Sequence, residues 1–191
     1  GFIGSHICYL LLKQGFSIVS LDSFANSSPQ VYKNIRNLLK YEKIAINNRF
    51  KFFKGNIKDT FLLRKIFKER RSINRPIKAV IHLAGLKSAN ESCKNSLEYW
   101  STNVCGSISI LKIMDEFNCK TIVFSSSATI YGLTENKIID ENEIIKPINP
   151  YGNSKATVET ILNDLYSTSP NSWRIANLRY FNPIGAHPTG M

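Results

Sequence analysis

Three residues in the second half of the sequence have the types and spacing of a proton-transfer site. Tyr151 and Lys155 lie four positions apart, so on a helix they share one face and the ammonium can act on the phenol. Lowering the pKa of a phenol from about 10 to near neutrality requires on the order of 4 kcal/mol of preference for the phenolate, which nearby positive charge supplies. Ser127 ends an apolar run ahead of this pair. We predict that Tyr151 is a general base and that Lys155 supplies part of the positive charge that lowers its pKa. Ser127 is predicted either to hold the substrate hydroxyl or to share its proton.

A second tyrosine and lysine pair shows that this spacing alone is a weak signal. Tyr9 and Lys13 are also four apart, in a chain with eight tyrosines. No serine-bearing strand precedes them, so we interpret them as packing and surface positions. Tyr151 and Lys155 differ in context, because a strand ending in three serines and a long loop come before their helix.

The sequence opens with glycines at positions 1 and 4, in "GFIGSH", which match the last two glycines of a dinucleotide-binding loop. Such glycines let the backbone approach a pyrophosphate, whose charge is stabilised by the amides and dipole of a helix N-terminus. Asp22 lies 18 residues after Gly4, where an acid accepts hydrogen bonds from ribose hydroxyls and repels a 2'-phosphate. The pattern predicts NAD as the cofactor. The alternatives are an ordinary turn for Gly1 and Gly4 and a strand-ending aspartate in a turn for Asp22.

Short apolar runs alternate with helix-like stretches along the chain. The strand-like runs are 16–22, 49–55, 79–85, 121–127 and 174–182, and the helix-like stretches lie near 4–14, 30–40, 59–71, 94–117 and 151–168. Asp59 and Asn149–Pro150 are capping signals, and the acidic stretch 133–150 is predicted to be a surface loop. Since the strand-like runs are apolar throughout, we predict an α/β fold with a doubly wound parallel sheet of the Rossmann type.

Composition and charge narrow the functional class. The net charge is +11, but the basic residues are dispersed along the chain, which argues against nucleic acid as a partner. The four cysteines form no C-x-x-C pair and the three histidines lie far from them, so we expect no metal site and reduced thiols. No apolar run approaches ~20 residues and no signal peptide is recognisable, so we expect a cytoplasmic protein without a membrane partner.

The motifs taken together resemble the extended short-chain dehydrogenase/reductase family. They are "GFIGSH" at 1–6, "LD" at 21–22, "HLAG" at 82–85, "SSSATIYG" at 125–132 and "PYGNSK" at 150–155, in that order over the whole chain. Within the family, "LAGLKSANES" and "LRYFNPIGAHPTG" are similar to the UDP-hexose 4-epimerases. The dehydratase branch would carry threonine, aspartate and glutamate where this chain has Ser127, Ala128 and Thr129.

The resemblance implies an isomerase of galactose metabolism that interconverts UDP-glucose and UDP-galactose with NAD, through a 4-keto intermediate. Another NAD-dependent sugar-nucleotide epimerase or dehydratase is the alternative. The NAD site would be lined by Phe2, Ile3, Asp22, Ser23, Phe24, Ala25, Asn26, Ser27, Asn56, Ile57, Leu83, Ala84, Gly85, Leu86, Lys87, Asn103, Ser127, Tyr151, Lys155, Tyr180 and Phe181, besides Gly1 and Gly4. The sugar nucleotide would contact Ser127, Tyr151 and Asn182.

Two positions depart from the family pattern. Asn56 stands where the family usually has an acid, and Thr102 stands where it often has asparagine, so either Thr102 or Asn103 carries the cofactor contact. For Tyr180 and Phe181, a buried last strand with a turn at Pro183 is the alternative to a direct contact.

The resemblance also implies chain beyond both ends. The first helix has no strand before it, and the family has a C-terminal substrate domain, so we expect an incomplete NAD-binding Rossmann domain over 1–191. Two hypotheses follow: part of an NAD-dependent UDP-hexose 4-epimerase, or a non-catalytic fragment of such an enzyme. The family commonly forms homodimers through the helices that correspond to 94–117 and 151–168.

Overall fold

A computed structural model describes residues 1–135 and 138–190. These residues group into two compact units, one formed by Gly1–Asn56 with the stretch that starts at Pro183, and one formed by Ile57–Asn182. Each unit contains parallel strands joined through helices, which confirms the predicted parallel α/β class. A single domain over 1–191 stays a prediction. Among the described residues, no helix combines the length and the apolar character needed to cross a bilayer.

The first unit contains two helices and a two-stranded sheet. Its elements are α1 (Phe2–Lys13), β1 (Ile18–Asp22), α2 (Gln30–Tyr41), a 3-10 turn (Asn47–Arg49) and β2 (Phe50–Lys54). β1 and β2 pair in parallel, with Ile18 opposite Phe50 and Asp22 opposite Lys54. Apolar residues at helical spacing on α2 pack against α1 and β2. The resulting core contains Tyr9, Leu12, Tyr32, Ile35, Leu38, Leu39 and Phe50.

The first helix begins earlier than the sequence pattern predicted. α1 starts at Phe2 with Gly1 as its N-cap residue, so Gly4 lies inside the helix and does not begin it. The Ser5 amide donates to the Gly1 carbonyl at 3.0 Å, which makes Gly1 the start of the helical hydrogen-bonding pattern. Glycine is tolerated as an N-cap because it leaves the first helical amides accessible.

The second unit contains five α-helices and a three-stranded sheet. Its elements are α3 (Thr60–Ser72), β3 (Val80–His82), α4 (Ala89–Lys94), α5 (Ser96–Tyr99), a π-helical segment (Trp100–Cys105), α6 (Gly106–Glu116), β4 (Thr121–Ser127), a 3-10 turn (Ala128–Tyr131), α7 (Pro150–Thr168) and β5 (Arg174–Tyr180). Both predicted caps are confirmed. The Asp59 carboxylate accepts from the Leu62 amide at 2.9 Å, and the Asn149 side chain accepts from the Gly152 amide at 2.8 Å.

The helix predicted near 94–117 is divided. Ser88 caps α4 by accepting from the Glu91 amide, so helical structure begins before the predicted stretch. Asn95 then interrupts it with a non-helical φ of −129° and ψ of 47°. The π-helical segment that follows leads into α6. Because short-range capping and a single π turn decide these boundaries, apolar periodicity alone did not predict them.

In the sheet of the second unit, β4 lies between β3 and β5, and both pairings are parallel. Ile122, Phe124 and Ser126 alternate along β4 and are buried on one face. On the neighbouring strands, Ile81 and Leu178 are each 39% exposed. Burial therefore differs between the faces of this sheet, although the runs are apolar throughout.

The stretch 133–150 contains no helix or strand in its described residues before Pro150, as predicted; residues 136 and 137 lie outside the described ranges. Its end is tied back to the turn after β4, since the Lys146 amide donates to the Ile130 carbonyl at 2.9 Å. Gly132 has a φ of 68°, and a Cβ there would collide with the Lys146 carbonyl oxygen. A glycine is therefore required where this loop leaves and rejoins the sheet.

Candidate active site

The candidate active site lies where β4 ends and α7 begins. Ser127 closes β4, and its hydroxyl accepts a hydrogen bond from the Thr129 amide at 3.2 Å. Pro150 suits the first position of α7, so Tyr151 and Lys155 lie in the first turns of that helix. Ser127, Tyr151 and Lys155 are 8%, 9% and 5% exposed, and Ser127 lies close enough to Tyr151 to lower the pKa of its phenol. The second unit thus brings the three predicted residues together.

The ammonium of Lys155 is held by the strand and not by the tyrosine. Its Nζ donates to the Ser125 carbonyl oxygen at 2.8 Å and lies 4.9 Å from the centre of the Phe124 ring. The centre of the Tyr151 ring is 5.9 Å away. Burial disfavours the charged form and lowers the pKa of Lys155 to about 8.

Two opposing effects act on the phenol of Tyr151. Burial raises the pKa of Tyr151, and the hydrogen bond with Ser127 acts in the opposite direction without overcoming it. The prediction was that Lys155 lowers this pKa. That prediction concerned the charge of Lys155 together with the ring of an oxidised nicotinamide, and it stays a prediction; in this structure the Lys155 ammonium is itself desolvated and bonds the Ser125 carbonyl.

The other pair with the same spacing is a structural one, as predicted. Tyr9 lies in the core of the first unit with 5% of its surface exposed, and its hydroxyl donates to Glu42 at 2.6 Å. Lys13 is exposed and donates to Glu42 at 3.0 Å and to the Tyr9 oxygen at 3.3 Å. A direct lysine–tyrosine contact therefore occurs in the pair that lacks a strand-end serine.

One asparagine holds the loop after β3. The Asn103 amide oxygen accepts from the Leu86 amide at 2.8 Å, and its amide nitrogen donates to the Leu86 carbonyl at 3.0 Å and to the Ser154 hydroxyl at 2.9 Å. A Cβ on Gly85 would lie 2.9 Å from the Asn103 amide oxygen, so glycine is needed for this close approach. The loop 83–87 is thereby fastened to α7 through Asn103.

Thr102 and Asn103 were both candidates for the cofactor contact, and they face different surroundings. Thr102 is half-buried and donates to Glu98 at 2.7 Å, whereas Asn103 is 3% exposed and bonds the predicted loop. Asn103 is thus the one of the two that lies among the predicted site residues.

A buried histidine next to this loop was not predicted. His82 ends β3 with 4% of its surface exposed, and its Nε2 lies 2.8 Å from the Ser107 hydroxyl. Ser107 donates its own proton to the Asn103 carbonyl, so His82 must donate through Nε2. Burial, followed by the charge of Lys155, lowers the pKa of His82 to about 3. In the sequence, the feature that could have indicated this buried group is a histidine at the end of an apolar strand.

In the first unit, Asp22 organises the turn that follows β1. Its Oδ1 accepts from the Phe24 amide at 2.8 Å and from the Ser27 hydroxyl at 2.9 Å. Burial raises the pKa of Asp22, and these two hydrogen bonds lower it. Phe24 has a φ of 59°, which is strained for a bulky residue. The turn is ordered around an ionised carboxylate, a feature that both interpretations of Asp22 share.

The remaining predicted contact residues lie at the ends of elements. In the first unit they are Gly1, Phe2, Ile3 and Gly4 at the start of α1, Ser23, Ala25 and Asn26 in the turn after β1, and Asn56 after β2. In the second unit they are Ile57, Leu83, Ala84, Lys87, Tyr180, Phe181 and Asn182. Ile57 packs closely on Gly106: a Cβ added at Gly106 would lie 2.6 Å from the Cγ2 atom of Ile57. Phe181 is 60% exposed, which contradicts the alternative of a buried strand end at that residue.

An ion pair that joins β5 to α7 was also missed. Arg179 donates to both carboxylate oxygens of Glu159, with a closest contact of 2.8 Å, and to the Tyr131 hydroxyl at 2.9 Å. Glu159 is 3% exposed, and its hydrogen bond raises the pKa of Arg179 further above its ordinary range. Glu159 follows Lys155 by four residues, so it lies on the same face of α7 as Tyr151 and Lys155. This spacing is the feature of the sequence from which the acid could have been predicted.

A parallel α/β fold in which a strand-end serine meets a tyrosine and lysine from the next helix is typical of Rossmann-type short-chain dehydrogenases and reductases. Residues 1–189 match the family described as GDP-mannose 4,6 dehydratase, and the chain belongs to that family.

Relatives and solved structures narrow the comparison to epimerases. The chain is 45% identical to the bifunctional protein GAL10 of Pachysolen tannophilus and 40% identical to the UDP-glucose 4-epimerase of Bacillus subtilis (strain 168), in each case over 100% of its own length. It spans 26% of the first protein and 52% of the second. The structure of the UDP-glucose 4-epimerase from Bifidobacterium longum in complex with NAD+ and UDP matches with a TM-score of 0.90 and 38% identity, over 100% of this chain and 53% of that one.

Proposed function

We propose that the protein is an NAD-dependent UDP-glucose 4-epimerase that interconverts UDP-glucose and UDP-galactose through a 4-keto intermediate. The observation that carries this proposal is the buried group of Ser127, Tyr151 and Lys155, in a chain 40% identical to a UDP-glucose 4-epimerase. The B. longum relative was solved with NAD+ and UDP bound, which supports the choice of cofactor and of nucleotide.

The residues present are compatible with NAD. In the first unit, the Asp22 carboxylate is kept ionised at the end of β1 and suits the hydroxyls of the adenosine ribose. In the second unit, a Cβ on Gly85 would lie 2.9 Å from the Asn103 amide oxygen and 3.6 Å from Lys155 Nζ, so glycine allows the 83–87 loop to approach both of these proposed NAD-binding residues. Lys155 has three donors and uses one on Ser125, which leaves donors for the nicotinamide ribose.

Each residue of the group has one role in the proposed reaction. Tyr151 removes the proton of the sugar 4-hydroxyl and later returns it to the 4-keto oxygen. Ser127 holds that hydroxyl, and Asn182 contacts the sugar nucleotide. When bound, NAD supplies the acceptor and donor of the C4 hydride. Lys155 binds the nicotinamide ribose and adds positive charge close to the phenol. Since burial raises the pKa of Tyr151, ionisation of its phenol in the proposed site depends on added positive charge.

Dehydration is the second reaction that the family name suggests, and the turn after β4 argues against it. Elimination needs acid and base groups beside the tyrosine, and the positions after Ser127 carry Ala128 and Thr129. A methyl group and a hydroxyl cannot replace a pair of carboxylates in that role.

The proposal further places the protein in the cytoplasm, as a homodimer formed through the helices of the second unit.

The assignment of Tyr151 is tested by Tyr151→Phe, with Tyr9→Phe as the matched control. Interconversion of UDP-glucose and UDP-galactose by the purified protein, supplied with NAD, is followed by chromatography of the two sugar nucleotides. Loss of the base predicts a fall in kcat of about 10²–10⁴-fold for Tyr151→Phe. Tyr9→Phe keeps its activity per folded molecule, since the Tyr9 hydroxyl bonds Glu42, Lys13 and His187, none of which is a proposed NAD or substrate contact. Undiminished interconversion in Tyr151→Phe would show that another group is the base.

A further inference from the structure

The Ser127 hydroxyl makes more contacts than its role of holding a substrate requires. Its oxygen accepts from the Thr129 amide at 3.2 Å and lies 2.9 Å from the Thr129 hydroxyl oxygen. Its third partner is the Tyr151 phenol, whose pKa it lowers by hydrogen bonding to the phenolate. A serine hydroxyl has one proton to donate and two lone pairs that accept. Before substrate binds, these three contacts use its full capacity, and a substrate hydroxyl held by Ser127 replaces one of them.

The proton and the second lone pair of the Ser127 hydroxyl are left for the Tyr151 phenol and the Thr129 hydroxyl. When the Tyr151 phenol is neutral, it can donate to Ser127, and Ser127 then donates to Thr129. When Tyr151 is ionised it can only accept, so the Ser127 proton must point at the phenolate oxygen. The lone pair released on Ser127 then needs a donor, and the Thr129 hydroxyl, 2.9 Å away, is in place to supply it.

The Thr129 side chain is constrained so that its hydroxyl stays on this side. Its Cγ2 methyl lies against Gly152 on α7, 3.3 Å from where a Cβ would be, and its carbonyl oxygen is 2.8 Å from the same point. A β-branched side chain has few χ1 rotamers, so a methyl packed on α7 keeps the hydroxyl turned towards Ser127. The hydrogen bond from the Thr129 backbone amide to the Ser127 hydroxyl also fixes the Thr129 backbone relative to Ser127.

We propose that Thr129 is a positioning residue for the reaction, a proposal that rests on the proposed role of Tyr151 as the base: its hydroxyl donates to Ser127 when Tyr151 is ionised and so keeps the Ser127 proton directed at the phenolate oxygen. Without it, the phenolate state leaves a buried lone pair on Ser127 without a donor, which penalises that state alone.

Two substitutions separate the hydroxyl from the shape of the side chain. Thr129→Val keeps the branched shape and the packing on Gly152 but removes the hydroxyl, and Thr129→Ser keeps the hydroxyl and removes the methyl. The titratable groups that face Tyr151 are Lys155 on its own helix and Tyr99 of α5, whose ring centre is 6.3 Å from that of Tyr151. Neither group is altered in the two variants.

The first measurement is the pH profile of kcat/KM for UDP-hexose interconversion at saturating NAD, because kcat/KM reports the ionisation of the protein before UDP-hexose binds. We expect the acidic limb of Thr129→Val to move up by about one pH unit, with an approximately tenfold lower kcat/KM on that limb, whereas Thr129→Ser follows the wild type. If the limbs of Thr129→Val and wild type coincide, or if Thr129→Ser moves as far as Thr129→Val, the inference is overturned.

The second measurement separates this inference from the proposed function. Phenolate absorbance of each protein at saturating NAD is compared with that of the same protein carrying Tyr151→Phe, over the pH range in which circular dichroism shows both folded. A smaller phenolate fraction in Thr129→Val than in wild type and Thr129→Ser supports the positioning role even if no UDP-hexose is converted, in which case the proposed function alone fails. Equal fractions, or a Tyr151 that stays neutral in every protein, contradict it.

Discussion

At the scale of single residues, Lys155 shows how a candidate catalytic group can oppose stability. Its ammonium is 5% exposed, bonds one carbonyl, and has a pKa lowered to about 8 by burial. A buried charge with one hydrogen bond is poorly compensated for the water it has lost. The residue is therefore placed for chemistry at a cost to folding, as is common where pKa values are perturbed.

This cost has a defined sign with pH. The pKa of Lys155 is lower in the folded protein than the ordinary 10.5, so between about 8 and 10.5 the unfolded chain binds more protons and stability rises with pH. Lys155 alone contributes a rise on the order of 3 kcal/mol over that window. We expect Lys155→Met to remove this part of the rise, measured as the free energy of unfolding in urea at several pH values.

Lys13→Met is the matched control for that measurement, because Lys13 also follows a tyrosine by four residues but is exposed and paired with Glu42. It should retain the wild-type rise between pH 8 and 10.5. A Lys155→Met protein with the same slope as wild type would show that the ammonium is not desolvated in the folded state.

At the scale of elements, the turn after β4 and the first turn of α7 are in contact at Gly152. A Cβ there would lie 2.8 Å from the Thr129 carbonyl oxygen and 2.9 Å from Pro147 Cβ, and neither atom belongs to a flexible side-chain end. The Arg179–Glu159 pair fastens the same helix to β5. The position of Tyr151 relative to Ser127 therefore depends on how closely two backbone segments approach.

Gly152→Ala tests this contact. Alanine normally stabilises a helix relative to glycine, by 0.5–1 kcal/mol as an approximate range. Here we expect the opposite sign, a loss of about 1–3 kcal/mol in the free energy of unfolding, because the backbone must move to admit the methyl group. Asn153→Ala, at the next position of α7, is the control and should change stability little. A stabilised Gly152→Ala protein would rule out the close approach.

At the scale of the whole molecule, the net charge of +11 does not form a binding surface by itself. Several basic side chains are paired with acids, among them Lys13 with Glu42 and Arg64 with Glu116. The net positive charge therefore produces a diffuse electrostatic field and not a localised basic patch.

We expect binding of duplex DNA to be non-specific, with a Kd of about 10⁻⁴–10⁻⁶ M near 0.15 M salt and a steep increase in affinity as salt is lowered. Fluorescence anisotropy of a labelled duplex, titrated at about 0.15 M and at about 0.05 M salt, measures this. Binding well below micromolar at the higher salt would indicate an ordered basic surface and a nucleic-acid partner.

The sequence alone was sufficient for the features that depend on neighbours along the chain. Five parallel strands, the caps at Asp59 and Asn149, and the candidate base in the first turn of α7 follow from local patterns of apolar, capping and catalytic residues. Local rules act over three or four residues, so they are visible in a linear sequence.

Only the tertiary structure decided which atoms these residues contact. Three hydrogen bonds join residues that are far apart in the sequence: Lys155 to the Ser125 carbonyl, the Leu86 amide to Asn103, and Arg179 to Glu159. The tertiary structure also decided that burial outweighs the Ser127 hydrogen bond at Tyr151. Desolvation and hydrogen-bond geometry depend on everything packed around a group, and spacing in the sequence specifies neither.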